Sequence, residues 1–169
     1  INGNFVWQKA YGNPVSPNHE WAFDLIQISD GGIILVGARD RYNEGSKNNL
    51  IIRLDKDGNL IWEKEISDNE QINEMIYSVT QSTNGALYLC STSNSMTHPN
   101  IFKPNIIKID LSGNIEWKRS FNANGNTNHQ FKAISTIAGE IVIIGTSYQQ
   151  FSTGIKTDAF MTKIDESGN

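Results

Sequence analysis

Residues 50–64 read LIIRLDKDGNLIWEK, and this stretch decides the fold class. An apolar run is followed by the turn-forming group DKDGN and then by a second run that carries Trp62. A short group of Asp, Gly and Asn between two apolar runs is typical of a tight turn that joins antiparallel strands. The stretch therefore predicts a β-hairpin.

The same pattern recurs along the chain at a fixed interval. Residues 106–119 read IIKIDLSGNIEWKR, while the N-terminus holds only the second half of the pattern and the C-terminus only the first. Glycines at positions 3, 58, 113 and 168 and tryptophans at 7, 62 and 117 are each spaced by 55 residues. Four short apolar runs per repeat, with no helical period, indicate radially repeated antiparallel sheets. We expect an all-β chain with repeats at 3–57, 58–112 and 113–167 and almost no helix.

Composition narrows the class of protein. The 169 residues are 38% hydrophobic and 19% charged, which is typical of one globular domain. The net charge of -4 is spread without a basic stripe, so nucleic acid is not an expected partner. No apolar run approaches the roughly 18 residues of a membrane-spanning helix, and residues 1–4 do not resemble a signal peptide. The single cysteine, Cys90, lies in an apolar run and is expected to be a small buried side chain.

The repeated turn has a structural explanation. An aspartate at its start can accept backbone N–H bonds, and a glycine can close it through a left-handed conformation. A calcium loop is the alternative, because oxygen-bearing residues alternate at 55–59, but the glycine comes two places early and the twelfth position lacks glutamate. We expect no metal. The residues assigned structural roles are Asp55, Asp110, Asp165, Gly58, Gly113, Trp7, Trp62 and Trp117.

This motif, preceded by residues 27–37 (QISDGGIILVG), resembles the repeat of secreted bacterial and archaeal β-propeller proteins. It is also similar to the tryptophan-docking repeats of quinoprotein-like propellers, and the resemblance covers essentially the whole chain. The resemblance implies blades of four antiparallel strands, tryptophans that pack on neighbouring blades, and an extracellular or cell-envelope location. The cofactor-binding and metal-ligating residues of the quinoproteins have no counterpart here, so no cofactor is expected.

The number of blades leaves two alternatives. Propellers close with about four to eight blades, and this chain holds three repeats. Two copies could form a six-bladed homodimer by exchanging outer strands, or the chain could be joined to further blades of a longer propeller. We favour the second alternative, because the sequence stops inside a hairpin turn.

Candidate binding residues lie where long loops are expected, at 39–49, 91–104 and 145–158, because loops longer than about 12 residues are usually functional or disordered. An amide stands before the first strand of each repeat and is followed by His, Glu or His. Such a ring could hold a sugar, a carboxylate or a metal, although each asparagine could instead only cap its loop. The candidate residues are Asn18, His19, Asn73, Glu74, Asn128, His129, Arg39, Tyr42, Phe102 and Tyr148.

The sequence favours a non-enzymatic scaffold or binding module that presents one face to a protein or glycan partner. It contains no nucleophile motif and no phosphate-binding loop. The alternative is a carbohydrate-active propeller enzyme, a hydrolase or lyase, with paired carboxylates on different blades. The carboxylates that could serve it are Glu20, Asp24, Glu44 and Glu74.

Overall fold

The computed structural model describes residues 3–4, 6–12, 17–40, 45–68, 72–121 and 127–168, without the side chains of 98–100, 127, 128 and 150. The described residues form eleven β-strands and no helix, so the all-β prediction is confirmed. The strands are β1 (Glu20–Gln27), β2 (Ile33–Asp40), β3 (Lys47–Leu54), β4 (Leu60–Ile66), β5 (Ile72–Gln81), β6 (Leu87–Ser95), β7 (His98–Ile109), β8 (Ile115–Ser120), β9 (Thr127–Ile137), β10 (Glu140–Phe151) and β11 (Gly154–Asp165).

Three antiparallel sheets follow one another along the chain. The strand orders are β1-β2-β3-β4 in the first sheet, β5-β6-β7-β8 in the second and β9-β10-β11 in the third. Within each sheet, every strand pairs with its neighbour in sequence, because short turns can join antiparallel strands directly. The strands β1, β5 and β9 therefore lie at the edges of their sheets.

The turn between β3 and β4 has the hydrogen bonds that stabilise its tight shape. The Asp55 carboxylate accepts the backbone N–H groups of Asp57 and Asn59, each at 2.8 Å, while the Gly58 N–H donates to the Asp55 carbonyl. These bonds lower the pKa of Asp55. Gly58 has φ +75°, a left-handed conformation that is costly for residues with a side chain. Asp110 accepts equivalent bonds from Asn114 in the turn between β7 and β8.

Each repeated tryptophan lies over the turn glycine of the following repeat. A Cβ atom added to Gly58 would lie 3.0 Å from the Trp7 ring, and one added to Gly113 would lie 2.9 Å from the Trp62 ring. The Trp62 indole N–H also donates to the Leu111 carbonyl at 3.3 Å. The absence of a glycine side chain therefore allows the close approach of these rings.

The apolar core lies between consecutive sheets. One cluster joins Ile34, Val36 and Ile51 of the first sheet to Leu89 and Ile107 of the second. The other cluster joins Tyr88, Cys90 and Ile106, on the opposite face of the second sheet, to the third sheet, of which Phe131, Ile141 and Ile143 belong to the cluster. The second sheet is therefore covered on both faces, and its strands are continuous apolar runs for that reason.

Two of the expected long loops are not loops. Most of 91–104 belongs to β6 and β7, and most of 145–158 belongs to β10 and β11, which a two-residue turn connects. Polar composition was a misleading signal, because these polar side chains bond to each other within the sheet. Asn105 Nδ2 donates to Ser93 Oγ at 3.2 Å, and Ser120 Oγ donates to Asn105 Oδ1 at 2.6 Å.

The N-terminal segment differs from expectation as well. Its sequence predicts a strand at 5–9, but the described residues 6–10 are not in a strand. Side chains fix the segment to the turn between β3 and β4 instead. Lys9 Nζ donates to the Asp57 carbonyl at 2.7 Å and to Asn59 Oδ1 at 2.9 Å, and the Tyr11 hydroxyl donates to the Gly58 carbonyl.

Candidate functional site

Three β-bulges occur at matching places in the three edge strands. In β1 the pairing with β2 skips Phe23, in β5 the pairing with β6 skips Tyr77, and in β9 the pairing with β10 skips Lys132. A bulge leaves its extra residue without a pairing partner and turns the side chain in a new direction. The strand β1 lies beside β5, and β5 lies beside β9, so the three bulges are neighbours.

The side chains of the three bulge residues are stacked. The Phe23 and Tyr77 rings lie nearly parallel, with centroids 5.4 Å apart and an interplanar angle of 22°. The Lys132 ammonium lies 3.7 Å from the Tyr77 ring centroid, within the range of a cation–π contact. We call Phe23, Tyr77 and Lys132 the bulge ladder. Phe23 remains 44% exposed, so this large apolar surface faces solvent.

Hydrogen bonds hold the edge strands that carry the ladder. Asp24 Oδ2 accepts the Ser78 hydroxyl at 2.6 Å and the Val79 N–H at 3.1 Å, which joins β1 to β5. Thr136 Oγ1 donates to the Gln81 carbonyl at 3.2 Å, which joins β9 to β5. The three bulges are therefore supported by bonds between neighbouring sheets.

Polar groups extend from the ladder along the third sheet. The Gln130 amide donates to the Tyr77 hydroxyl at 3.4 Å, and the Tyr148 hydroxyl donates to Gln130 Oε1 at 3.2 Å. Phe102 lies beside Tyr148, with ring centroids 5.9 Å apart. The structure thus brings the predicted residues Phe102 and Tyr148 together and connects Tyr148 to Tyr77 through Gln130.

Partial burial affects the ionisation of the ladder. Desolvation lowers the pKa of Lys132, because a charged ammonium loses water on approaching the Tyr77 ring. Desolvation raises the pKa of Tyr77 for the corresponding reason, since the phenolate is disfavoured. Tyr77 is therefore a neutral hydroxyl at pH 7.

The residues that were expected to form a ring of amides and imidazoles make separate contacts. Asn73 Oδ1 accepts the Lys47 N–H at 3.0 Å, and Asn18 is half-buried. Glu74 is fully buried, with its carboxylate 2.9 Å from Lys118 Nζ and bonded to the Asp68 N–H. The side chain of Asn128 lies outside the described residues.

The two predicted histidines contact different aromatic residues. His129 stacks on Phe160 with ring centroids 4.5 Å apart, and burial lowers the pKa of His129. His19 is exposed and lies beside Trp21 at a centroid distance of 6.0 Å. With Glu74 against Lys118, the imidazoles and the carboxylate of this set thus have separate partners.

Arg39 lies among three carboxylates on the first sheet. Its guanidinium is 2.9 Å from Glu20, 3.0 Å from Glu63 and 2.8 Å from Glu65. Burial opposes the charged form, but the hydrogen bonds with Glu65 and Glu63 outweigh it and raise the pKa of Arg39. The Arg39 guanidinium is therefore paired with carboxylates of the same sheet. Tyr42, predicted beside it, lies outside the described residues, as does Glu44.

Two further features are absent from the described part of the chain. No group of three or more His, Cys, Asp or Glu residues within it has a geometry that could hold a metal ion. It also contains no helix whose length and apolar character would suit a membrane crossing.

Comparisons with models of protein families and with curated proteins found no match to this chain. The bulge ladder was missed at the sequence level, although its members are spaced by 54 and 55 residues. That spacing was the one available signal, since a bulge depends on strand register.

Proposed function

We propose that this chain is a non-enzymatic β-propeller segment that binds a glycan on the bulge ladder. The observation that carries the proposal is the exposed face of Phe23, stacked on Tyr77 beside the Gln130 amide. Aromatic rings offer large rigid surfaces to the apolar face of a sugar. A few fixed polar groups beside such a surface are typical of small-ligand sites.

The state of the carboxylates supports binding rather than glycoside hydrolysis. A glycosidase needs a pair of carboxyl groups that face the scissile bond. Here Glu20 pairs with Arg39, Asp24 accepts bonds from Ser78 and Val79, and Glu74 is buried against a lysine. A carbohydrate-active enzyme is the second candidate, and turnover of a bound oligosaccharide would favour it.

The propeller architecture rests on the 55-residue sequence repeat and on the face-to-face packing of consecutive sheets. The third sheet leaves Ile144 and Met161 50% and 71% exposed, which supports a further sheet packing on that face. That sheet would come from a second copy, in a six-bladed homodimer, or from further blades of the same chain. An extracellular or cell-envelope location belongs to the same proposal.

Glycan-array binding tests the function directly. We expect wild-type protein to bind a subset of oligosaccharides and Phe23→Ala to lose at least about tenfold in affinity, because the exposed stacking surface is removed. Phe151→Ala is the matched control, since Phe151 is also 44% exposed but lies at the end of β10, beside the turn to β11. Absence of any bound glycan, or equal losses in the two variants, would refute the proposal and leave a protein partner.

Solution mass tests the assembly. Sedimentation of the 169-residue chain as a stable particle of twice 18.9 kDa would support the homodimer. A well-folded monomer at high concentration would exclude it and favour further blades as the cover of the third sheet.

A further inference from the structure

We propose that the glycan bound by the bulge ladder is anionic and that its acidic group pairs with Lys132. This inference rests on the proposed function and names the class of ligand. Lys132 gives the ladder a positive charge, in a chain whose net charge is -4.

Lys132, like Lys47 and Lys64, forms no ion pair with a described carboxylate, and this distinguishes it from four other basic residues of the sheets. Arg39, Lys108, Lys118 and Lys163 each lie within 4 Å of a carboxylate, at distances of 2.6–3.0 Å. No described carboxylate lies this close to Lys132 Nζ, whose contact is the Tyr77 ring. The ladder therefore carries a cation without a carboxylate partner among the residues that the structure describes.

The Lys132 ammonium lies close to the Tyr77 ring. The distance of 3.7 Å from Lys132 Nζ to the Tyr77 centroid is shorter than the 5.2–5.8 Å of the cation–π contacts made by Lys9, Lys47, Lys64 and Lys108. A lysine held in one place loses less side-chain entropy when it binds an anion. Lys132 is thus positioned for a ligand before the ligand arrives.

The charges around Lys132 leave room for an anion. Asp24, the carboxylate on β1 next to Phe23, accepts two bonds from β5 and is fixed by them. The Lys132 side chain is exposed, so an arriving anion can reach its ammonium.

Geometry favours a sugar over a simple anion. Phe23 and Tyr77 form a nearly parallel stack with Lys132 at one side, so a ligand that combines an apolar ring face with an acidic group can contact both kinds of surface. Uronic acids and sulfated sugars share this chemistry. Inorganic anions lack the apolar face and are expected to bind weakly.

The test is calorimetric titration of the full 169-residue chain with three ligands: a uronic-acid trisaccharide, a sulfated trisaccharide and a neutral trisaccharide. We expect at least one acidic ligand to bind about tenfold or more tightly than the neutral one. Lys132→Gln should abolish this preference, and Lys132→Arg should retain it. Lys156→Gln, at an exposed lysine of β11, is the control and should behave like wild type.

The outcomes separate the two proposals. Equal affinity for neutral and acidic ligands in wild-type protein, or an unchanged preference in Lys132→Gln, would overturn the inference and leave the proposed function intact. Absence of binding by every ligand, together with an empty glycan array, would overturn both. A preference for the uronic acid alone or the sulfated sugar alone supports the inference and identifies the acidic group.

Discussion

The second and third sheets have corresponding apolar faces that differ in their exposure to solvent. In the second sheet, Cys90 pairs with Ile106 and both are fully buried; in the third, Ile144 pairs with Met161 at the matching place and both are at least half exposed. Their sequences are similarly apolar, so the difference arises from the neighbouring sheet that covers one and not the other. Whether such a strand is buried therefore depends on whether another sheet packs on it.

The largest expected effect comes from shortening one side chain on each face. Ile106→Ala should lower the free energy of unfolding by about 2–5 kcal/mol, because it leaves a cavity between the second and third sheets. Met161→Ala should change it by no more than about 0.5 kcal/mol, because Met161 is 71% exposed. Urea denaturation measures both values. Similar losses in the two variants would show that the third sheet is covered in solution.

A smaller effect is expected where neighbouring sheets meet at a turn. Gly113 has φ +76°, and an added Cβ would lie 2.9 Å from the Trp62 ring and from Lys64. Gly113→Ala should therefore cost about 1–2 kcal/mol for the left-handed conformation and a further ~1 kcal/mol or more for displacing the ring. Thermal and urea unfolding measure the loss.

Gly139→Ala is the control for this comparison. Gly139 has φ +80° on the third sheet, and no atom lies within 4 Å of its added Cβ. It should show only the conformational cost. Equal losses in the two variants would mean that the Trp62 ring does not restrict the turn.

The smallest effect near neutral pH concerns the buried thiol. Burial raises the pKa of Cys90 to about 12, so the fold favours the protonated thiol. This group contributes its full amount to the free energy of unfolding at pH values below the ordinary thiol pKa. The contribution is lost as the pH rises through the pKa of Cys90 in the folded protein, by up to about 1.4 kcal/mol per pH unit. Urea unfolding at a series of pH values should show no loss from this group at pH 7 and a decline above about pH 9.

A cysteine introduced on the uncovered face of the third sheet tests the same difference in exposure. In Ile144→Cys, the new thiol should react with a thiol reagent at pH 8 within minutes, whereas Cys90 should react only on unfolding, because thiolate formation and access are both required. Two equally fast thiols would contradict the burial of Cys90.

The sequence was sufficient for the order of the strands. The 55-residue spacing and the turn residues around Asp55 and Asp110 predict antiparallel strands joined by tight turns, because these residues act locally. Strand length was less predictable. Polar residues at 91–104 and 145–158 indicated loops, but partners such as Ser93 and Asn105 satisfy one another only once the strands have paired.

The candidate site was less accessible to prediction than the fold. Phe102 and Tyr148 were identified as aromatic residues among polar ones, and they do contact each other. The residues of the bulge ladder were missed because an alternating pattern cannot show which residue a strand pairing will skip. Arg39 was expected on a long loop and Glu74 in a ring of amides and imidazoles, but both form ion pairs instead.

The bulges also have a consequence for how recognition could change over time. Phe23, Tyr77 and Lys132 have no cross-strand pairing partner, and none belongs to the fully buried core. Substitutions at Phe23 and Lys132 therefore alter the proposed binding surface while leaving strand register and core packing largely untouched, whereas Tyr77 also packs against the buried cluster between the second and third sheets. One architecture could in this way acquire new ligand preferences, repeat by repeat, without having to rediscover a stable fold.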